Sequence, residues 1–212
     1  MDCCAICIDD IKIPFKLEQC SHSFHPVCVM KFCEEYLLNF GTEWQTVPCP
    51  ICKKRISYHI LLKNCVEQCE IEDIVQIINK NNINTKCHMD RSLLMVAAAA
   101  GKMDTVKYLI DQGLSIDDPN NFGLTVFYNA VSYGQLDIVK YLVENYNVNI
   151  NCESFFGDTC LDMALKNNYI TTVEYLQSIN AKNGTPKNQD WFMNINENNI
   201  KKYIPLLLPN LI

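Results

Sequence analysis

The chain has 212 residues, enough for one large domain or two small ones. Apolar residues make up 49% and charged residues 20%, the balance of a globular protein, which excludes a disordered tail. Eighteen Lys and Arg against 24 Asp and Glu leave a net charge of -6, so nucleic acid is not an expected partner, because phosphate neutralisation needs a basic footprint. No apolar run approaches 18 residues, so no membrane association is expected. The start, MDCCAICIDD, has no basic region followed by an apolar stretch, so no secretory signal is expected.

Thirteen cysteines are unusual for this length, and eight of them fall between Cys3 and Cys52. Without an export signal, the expected setting is a reducing, intracellular compartment, cytoplasmic or nuclear, in which thiolates hold metal. The heavy use of Asn, Ile and Lys has the look of an AT-rich viral or protist genome. For a virus, the compartment would be the host cytoplasm.

Along the first fifty residues the metal-type side chains run Cys4, Cys7, Cys20, His22, His25, Cys28, Cys49, Cys52, with spacing C-x2-C-x12-C-x-H-x2-H-x2-C-x20-C-x2-C. Each C-x2-C pair can aim two thiolates at one ion from a tight turn, and zinc prefers four sulfur or imidazole ligands. Eight ligands predict two closed structural Zn²⁺ sites with no place for a catalytic water. Ligand softness and the absence of any carboxylate favour zinc. A disulfide framework and a different two-zinc arrangement are the alternatives. Cys3 would stretch the first pair to C-x3-C and is read as a bystander.

This pattern resembles the RING finger, in the form with two central histidines, over residues 2–57. The resemblance implies a small α+β cross-brace domain with interleaved ligands: Cys4, Cys7, His25 and Cys28 at one ion, Cys20, His22, Cys49 and Cys52 at the other. It implies ubiquitin-ligase activity: the domain binds a ubiquitin-conjugating enzyme and its ubiquitin and positions the thioester. No catalytic residue and no covalent intermediate on the ligase are implied. Ile6, Phe32, Pro50 and Lys53 match the family's contact surface for the conjugating enzyme, with Phe for the commoner Trp and Lys for the commoner Arg. Packing against the zinc loops is the other reading of Ile6, Phe32 and Pro50, and a solvated basic turn that of Lys53. Members often dimerise through this domain, which admits a dimer without requiring one. Apolar residues at Val29, Phe32, Cys33, Tyr36, Leu37 and Phe40 predict a helix ending near Gly41.

The second half repeats at 33–34 residues, from Ser92, Thr125 and Thr159. Equivalent positions carry Ala97, Ala130 and Ala164; Val106, Val139 and Val173; Leu109, Leu142 and Leu176. This resembles the ankyrin repeat and implies an all-α solenoid that binds proteins and here selects a protein substrate. Gly101 and Gly134 suit the turn between helices, Gly113 a left-handed stop, and Asp104 and Asp137 the start of each second helix. The family's Thr-Pro-Leu-His start lacks its proline and histidine, so its turn bonds need replacement. Asn168 stands where glycine is expected. The stretch from Leu61 reads as a degraded polar first unit capping an exposed end, with Asp73, Val75 and Ile78 matching Asp104, Val106 and Leu109.

The expected organisation is a zinc domain at 1–57, repeats at 58–182 (58–90, 91–117, 118–151 and 152–182), and a capping segment at 183–212. In that last segment Trp191 to Tyr203 reads as a helix and Leu206–Leu208 as packing. Cys65, Cys69, Cys87, Cys152 and Cys160 read as small buried apolar groups. His59 and His88 have no partners at metal spacing. The whole reads as a RING-type ligase with a substrate-selecting array. A non-enzymatic zinc-containing adaptor is the alternative.

Overall fold

The computed structural model describes residues 4, 6–7, 15–16, 22–40 and 46–184. Cys20, Trp191 to Tyr203 and Leu206–Leu208 lie outside these residues. Strand β1 (Phe15–Lys16) pairs antiparallel with β2 (Ser23–Phe24), Phe15 opposite Phe24. Helix α1 (Pro26–Phe40) starts three residues earlier than its apolar period predicts. Proline suits the first helical position, where a missing N–H leaves no bond unmade. The helix buries Val29, Met30 and Cys33 and half-buries Phe32, Tyr36 and Leu37. Strands β3 (Thr46–Pro48) and β4 (Arg55–Ser57) form an antiparallel hairpin with buried Val47 opposite buried Ile56.

Four helix pairs follow: α2 (Tyr58–Gln68) with α3 (Ile71–Ile77), α4 (Leu93–Ala99) with α5 (Met103–Asp111), α6 (Val126–Ser132) with α7 (Leu136–Asn145), and α8 (Cys160–Lys166) with α9 (Ile170–Ser178). The inner helices α2, α4, α6 and α8 stack in that order. Ala97, Ala130 and Ala164 are fully buried between them, and the three Val and three Leu of the outer helices are equally buried. Small side chains let the inner helices approach, and the i, i+3 Val/Leu pair forms each outer helix's apolar stripe.

The missing proline and histidine are replaced by hydroxyl caps. Ser92, Thr125 and Thr159 accept from the amides of Met95, Tyr128 and Asp162, each at 3.3 Å. In the last unit the Asp162 carboxylate returns a bond from the Thr159 amide at 2.8 Å, closing a reciprocal box. Asp104 and Asp137 lie in the first turns of α5 and α7 but are not the caps; Lys102 and Gln135 hold those positions without a side-chain capping bond. The two carboxylates therefore act through the helix dipole. Asn168 adopts the glycine conformation, φ +63°. Asparagine tolerates it better than most residues.

Two expectations about the first unit are corrected. Val75 is not its core residue: it is 49% exposed, while Ile74, Ile77 and the expected Ile78 are buried. Two residues separate α2 from α3, against three between α4 and α5, so the register of α3 shifts by one. Nor does the unit cap an exposed end. It has no linker before it, because β4 runs directly into α2, and α1 packs on both α2 and α3. Leu61, Leu62, Cys65, Val66, Ile74 and Ile77 are buried in one core continuous with that of the zinc domain. The amino-terminal domain covers the end of the solenoid.

Polar groups pin this junction. Glu34 Oε1 on α1 accepts from Tyr58 Oη at 3.2 Å, Asn79 Nδ2 at 2.9 Å and Asn82 Nδ2 at 2.9 Å. Asn82, itself buried, also donates to the Ile77 carbonyl at 2.8 Å and accepts from the Asn79 amide at 2.8 Å. One carboxylate of the first domain thus collects three donors from the first repeat.

Glycine has a packing role at Gly134, φ +70°, where an added Cβ would lie 2.8 Å from the Tyr169 ring. At Gly113, φ +93°, no atom lies within 4 Å of that position. Gly113→Ala should cost about 1 kcal/mol of backbone strain. Gly134→Ala should cost about 1–2 kcal/mol more, because a ring must move. Urea unfolding of both variants checks the order; equal losses would show that Tyr169 does not seat on Gly134.

Candidate metal centre

Local structure brings the predicted ligands together in two groups. Cys4 and Cys7 flank a turn carrying Ile6. His25 stands immediately before α1, its carbonyl accepting from the Val29 amide at 3.1 Å, and Cys28 lies in the first turn of that helix. The donor atoms of Cys4, Cys7, His25 and Cys28 all lie within 4.8 Å of one another. Cys7 Sγ is 3.1 Å from His25 Nδ1, and the His25 amide points at Cys4 Sγ at 3.5 Å. The second group joins His22, just before β2, to Cys49 and Cys52 on the turn between β3 and β4. Cys49 Sγ lies 3.6 Å from His22 Nδ1. Cys20, the expected fourth member, is outside the described residues.

A tetrahedral zinc ion with Zn–S near 2.3 Å places its ligand atoms about 3.8 Å apart. Four sulfur and nitrogen donors within 4.8 Å, with no carboxylate among them, fit that ion. The electrostatics agree. Burial alone would raise the Cys4 thiol, but amide bonds from His25, Cys7 and Ile6 bring it down to about 7. Burial first, then the Cys7 thiol and the charges of Cys4 and Cys7, push Cys28 up to about 12. A cation at this site would offset the mutual repulsion of neighbouring thiolates.

The four expected contact residues differ in exposure. Ile6 is 37% exposed on the first turn. Pro50 is half-buried and Lys53 exposed on the β3–β4 turn. Lys53 has φ +62°, and its ammonium donates to the Pro50 carbonyl at 2.9 Å, so the side chain folds back on its own turn. Phe32 is half-buried against the core, in line with the packing reading. Ile51, not singled out from the sequence, is 47% exposed beside Cys52 and is a second aliphatic side chain on these turns. An apolar residue between two ligands with no burial partner in the sequence pattern was the available signal.

Two family models match. One, for ankyrin repeats (3 copies), covers residues 62–154 and 94–190. The other, for the zinc finger of C3HC4 type (RING finger), covers 4–52. The chain belongs to the ankyrin-repeat family and carries a RING-type zinc finger at its amino-terminal side. The C3HC4 formula has one histidine, whereas this chain has two, His22 and His25. Among curated proteins, the chain is similar to alpha-latrotoxin-Lg1a of Latrodectus geometricus, 31% identical over 114 residues, 51% of this chain but 8% of the toxin. It is also similar to an ankyrin repeat protein of Rickettsia bellii, 29% identical over 134 residues, 63% of this chain and 68% of that protein. A third is an ankyrin repeat protein of Acanthamoeba polyphaga mimivirus, 31% identical over 119 residues, 55% of this chain and 17% of that one.

Proposed function

We propose that the zinc finger holds two Zn²⁺ ions, on Cys4, Cys7, His25 and Cys28 and on Cys20, His22, Cys49 and Cys52. Loaded in this way, it acts as a RING-type ubiquitin ligase. The ligase reading rests on the zinc domain alone, since the curated relatives are matched over stretches longer than that domain and two carry ankyrin repeats in their names. The observation that carries it is the exposed Ile6, joined by exposed Ile51, on the turns of the two ligand groups. Exposed aliphatic residues on rigid turns are what a conjugating enzyme would bury. Each zinc group is held by segments distant in sequence, so the two turns keep a fixed geometry. The chemistry would be positioning of the ubiquitin thioester for attack by a substrate lysine. The ankyrin array would supply the substrate, and the shared core with α1 would hold both parts in one orientation.

The test is ubiquitin-chain formation by the full chain with a panel of conjugating enzymes, with zinc content measured on every variant. Ile6→Ala should lower the rate about tenfold or more with zinc content unchanged, the scale of one buried contact residue. His22→Ala should lose zinc and activity together. Absence of zinc-dependent chains with every panel member would defeat the reading. The second reading, a non-enzymatic zinc-containing adaptor, is favoured by Lys53, whose ammonium is engaged by the Pro50 carbonyl of its own turn, and by the half-burial of Phe32 and Pro50, which leaves only part of each side chain to a partner. It predicts full zinc content and protein binding by the repeats without transfer.

A further inference from the structure

Outside the zinc groups, two thiols meet in the turn between the third and fourth helix pairs. Cys152 Sγ and Cys160 Sγ lie 3.1 Å apart, in hydrogen-bond contact. The local backbone explains the meeting. Glu153 pairs antiparallel with Thr159, and the Ser154 amide donates to the Asp158 carbonyl at 2.9 Å. Cys152 and Cys160 flank that bridge on the same side, which brings their side chains together.

The two sulfurs are not equivalent. Cys160 is fully buried, at the first position of α8, whereas Cys152 retains 7% exposure. The Thr125 hydroxyl stands 3.6 Å from Cys152 Sγ. The Cys160 thiol, opposed by burial and helped by Thr125, holds Cys152 below the usual thiol range, while burial pushes Cys160 well above it. Cys152 is the less buried of the two and ionises more readily than Cys160, the order expected of an attacking and a resolving thiol.

We infer that Cys152 and Cys160 are a modification site for hydroperoxides, a dithiol that closes to a disulfide across the turn bearing Phe155 and Phe156. The Cys152 thiolate attacks one peroxide oxygen, the O–O bond breaks, and Cys152 becomes a sulfenic acid while the other oxygen leaves as hydroxide and takes a proton. The Cys160 sulfur then attacks the Cys152 sulfur, the S–S bond forms, and the sulfenic oxygen leaves as water with the Cys160 proton. Two thiols are oxidised, one hydrogen peroxide is reduced, and two waters result. Phe155 and Phe156 are 66% and 64% exposed at the tip of this turn. The cross-link therefore restrains a segment that presents two aromatic rings to solvent. The inference stands whether or not the zinc finger transfers ubiquitin.

The test uses the zinc-loaded full chain, a brief hydrogen peroxide pulse, quenching with N-ethylmaleimide and tryptic mapping. One tryptic peptide, 141–166, carries both cysteines and no other. After the pulse it should be two hydrogens lighter and unalkylated, while the peptide with buried Cys87 stays alkylated. In Cys160→Ser, dimedone should trap a sulfenic acid on Cys152. In Cys152→Ser, Cys160 should remain a thiol. A doubly alkylated 141–166 peptide at a dose that already oxidises Cys87 would overturn the proposal, as would a disulfide from either cysteine to another residue.

Discussion

Strong chelation of zinc should unfold residues 4–52 and then loosen the first ankyrin unit. The described strands of that segment are two or three residues long, and its ordered helix is α1. The described elements of such a piece offer little core of their own. A structural zinc site supplies on the order of 10 kcal/mol at neutral pH, so each ion outweighs the domain's own stability. The loss does not stop at residue 52, because α1 covers α2 and α3 and shares their core. Losing it removes part of the cover over α2 and α3, in which Leu61, Leu62, Ile74 and Ile77 are buried. Hydrogen exchange should show amides of α1 and β3–β4 released first, those of α2 and α3 accelerated next, and α6 to α9 nearly unchanged. Elemental analysis should find two zinc atoms per chain before chelation. Unchanged protection of α1 in metal-free protein would sink both the zinc assignment and the coupling.

Replacing Glu34 with alanine should separate the two parts of the molecule. Tyr58 and Asn79 lose their acceptor, while Asn82 keeps its bond to the Ile77 carbonyl. Bonds to a charged acceptor contribute about 1.5–3 kcal/mol each, and water reaches this half-buried carboxylate. A net loss of about 2–3 kcal/mol is expected. Glu34→Gln keeps an acceptor oxygen and should recover more than half of it. The signature beyond stability is cooperativity: wild type should unfold as one calorimetric transition, and Glu34→Ala should show an early separate step for the zinc domain. A single transition of unchanged midpoint would show that apolar packing alone fixes the junction.

Much of this architecture is legible in the sequence because its signals are local or periodic. Ligand spacing identifies a zinc-binding pattern since C-x2-C geometry is set by one turn. A 33-residue recurrence of Ala, Val and Leu identifies the solenoid since each unit meets the same neighbours. The first unit misleads because its signal is relative. Its register depends on the length of the α2–α3 turn, and its polarity reads as a cap only if nothing covers it. The exposure of Ile51 and the folding back of Lys53 onto Pro50 depend on the shape of a turn, which residue identity alone does not define.

By itself, then, the order of residues determined the donor types, the repeat length and the buried stripe of the outer helices α5, α7 and α9, because these follow from chemistry within a few residues of one another. Only the tertiary structure decided that α1 closes the solenoid, that Glu34 gathers donors from residues 24 to 48 positions away, and that Cys152 faces Cys160. Those facts depend on how separate segments come to lie beside one another. Burial and hydrogen-bond satisfaction across the whole core select that arrangement, and no single stretch of sequence encodes it.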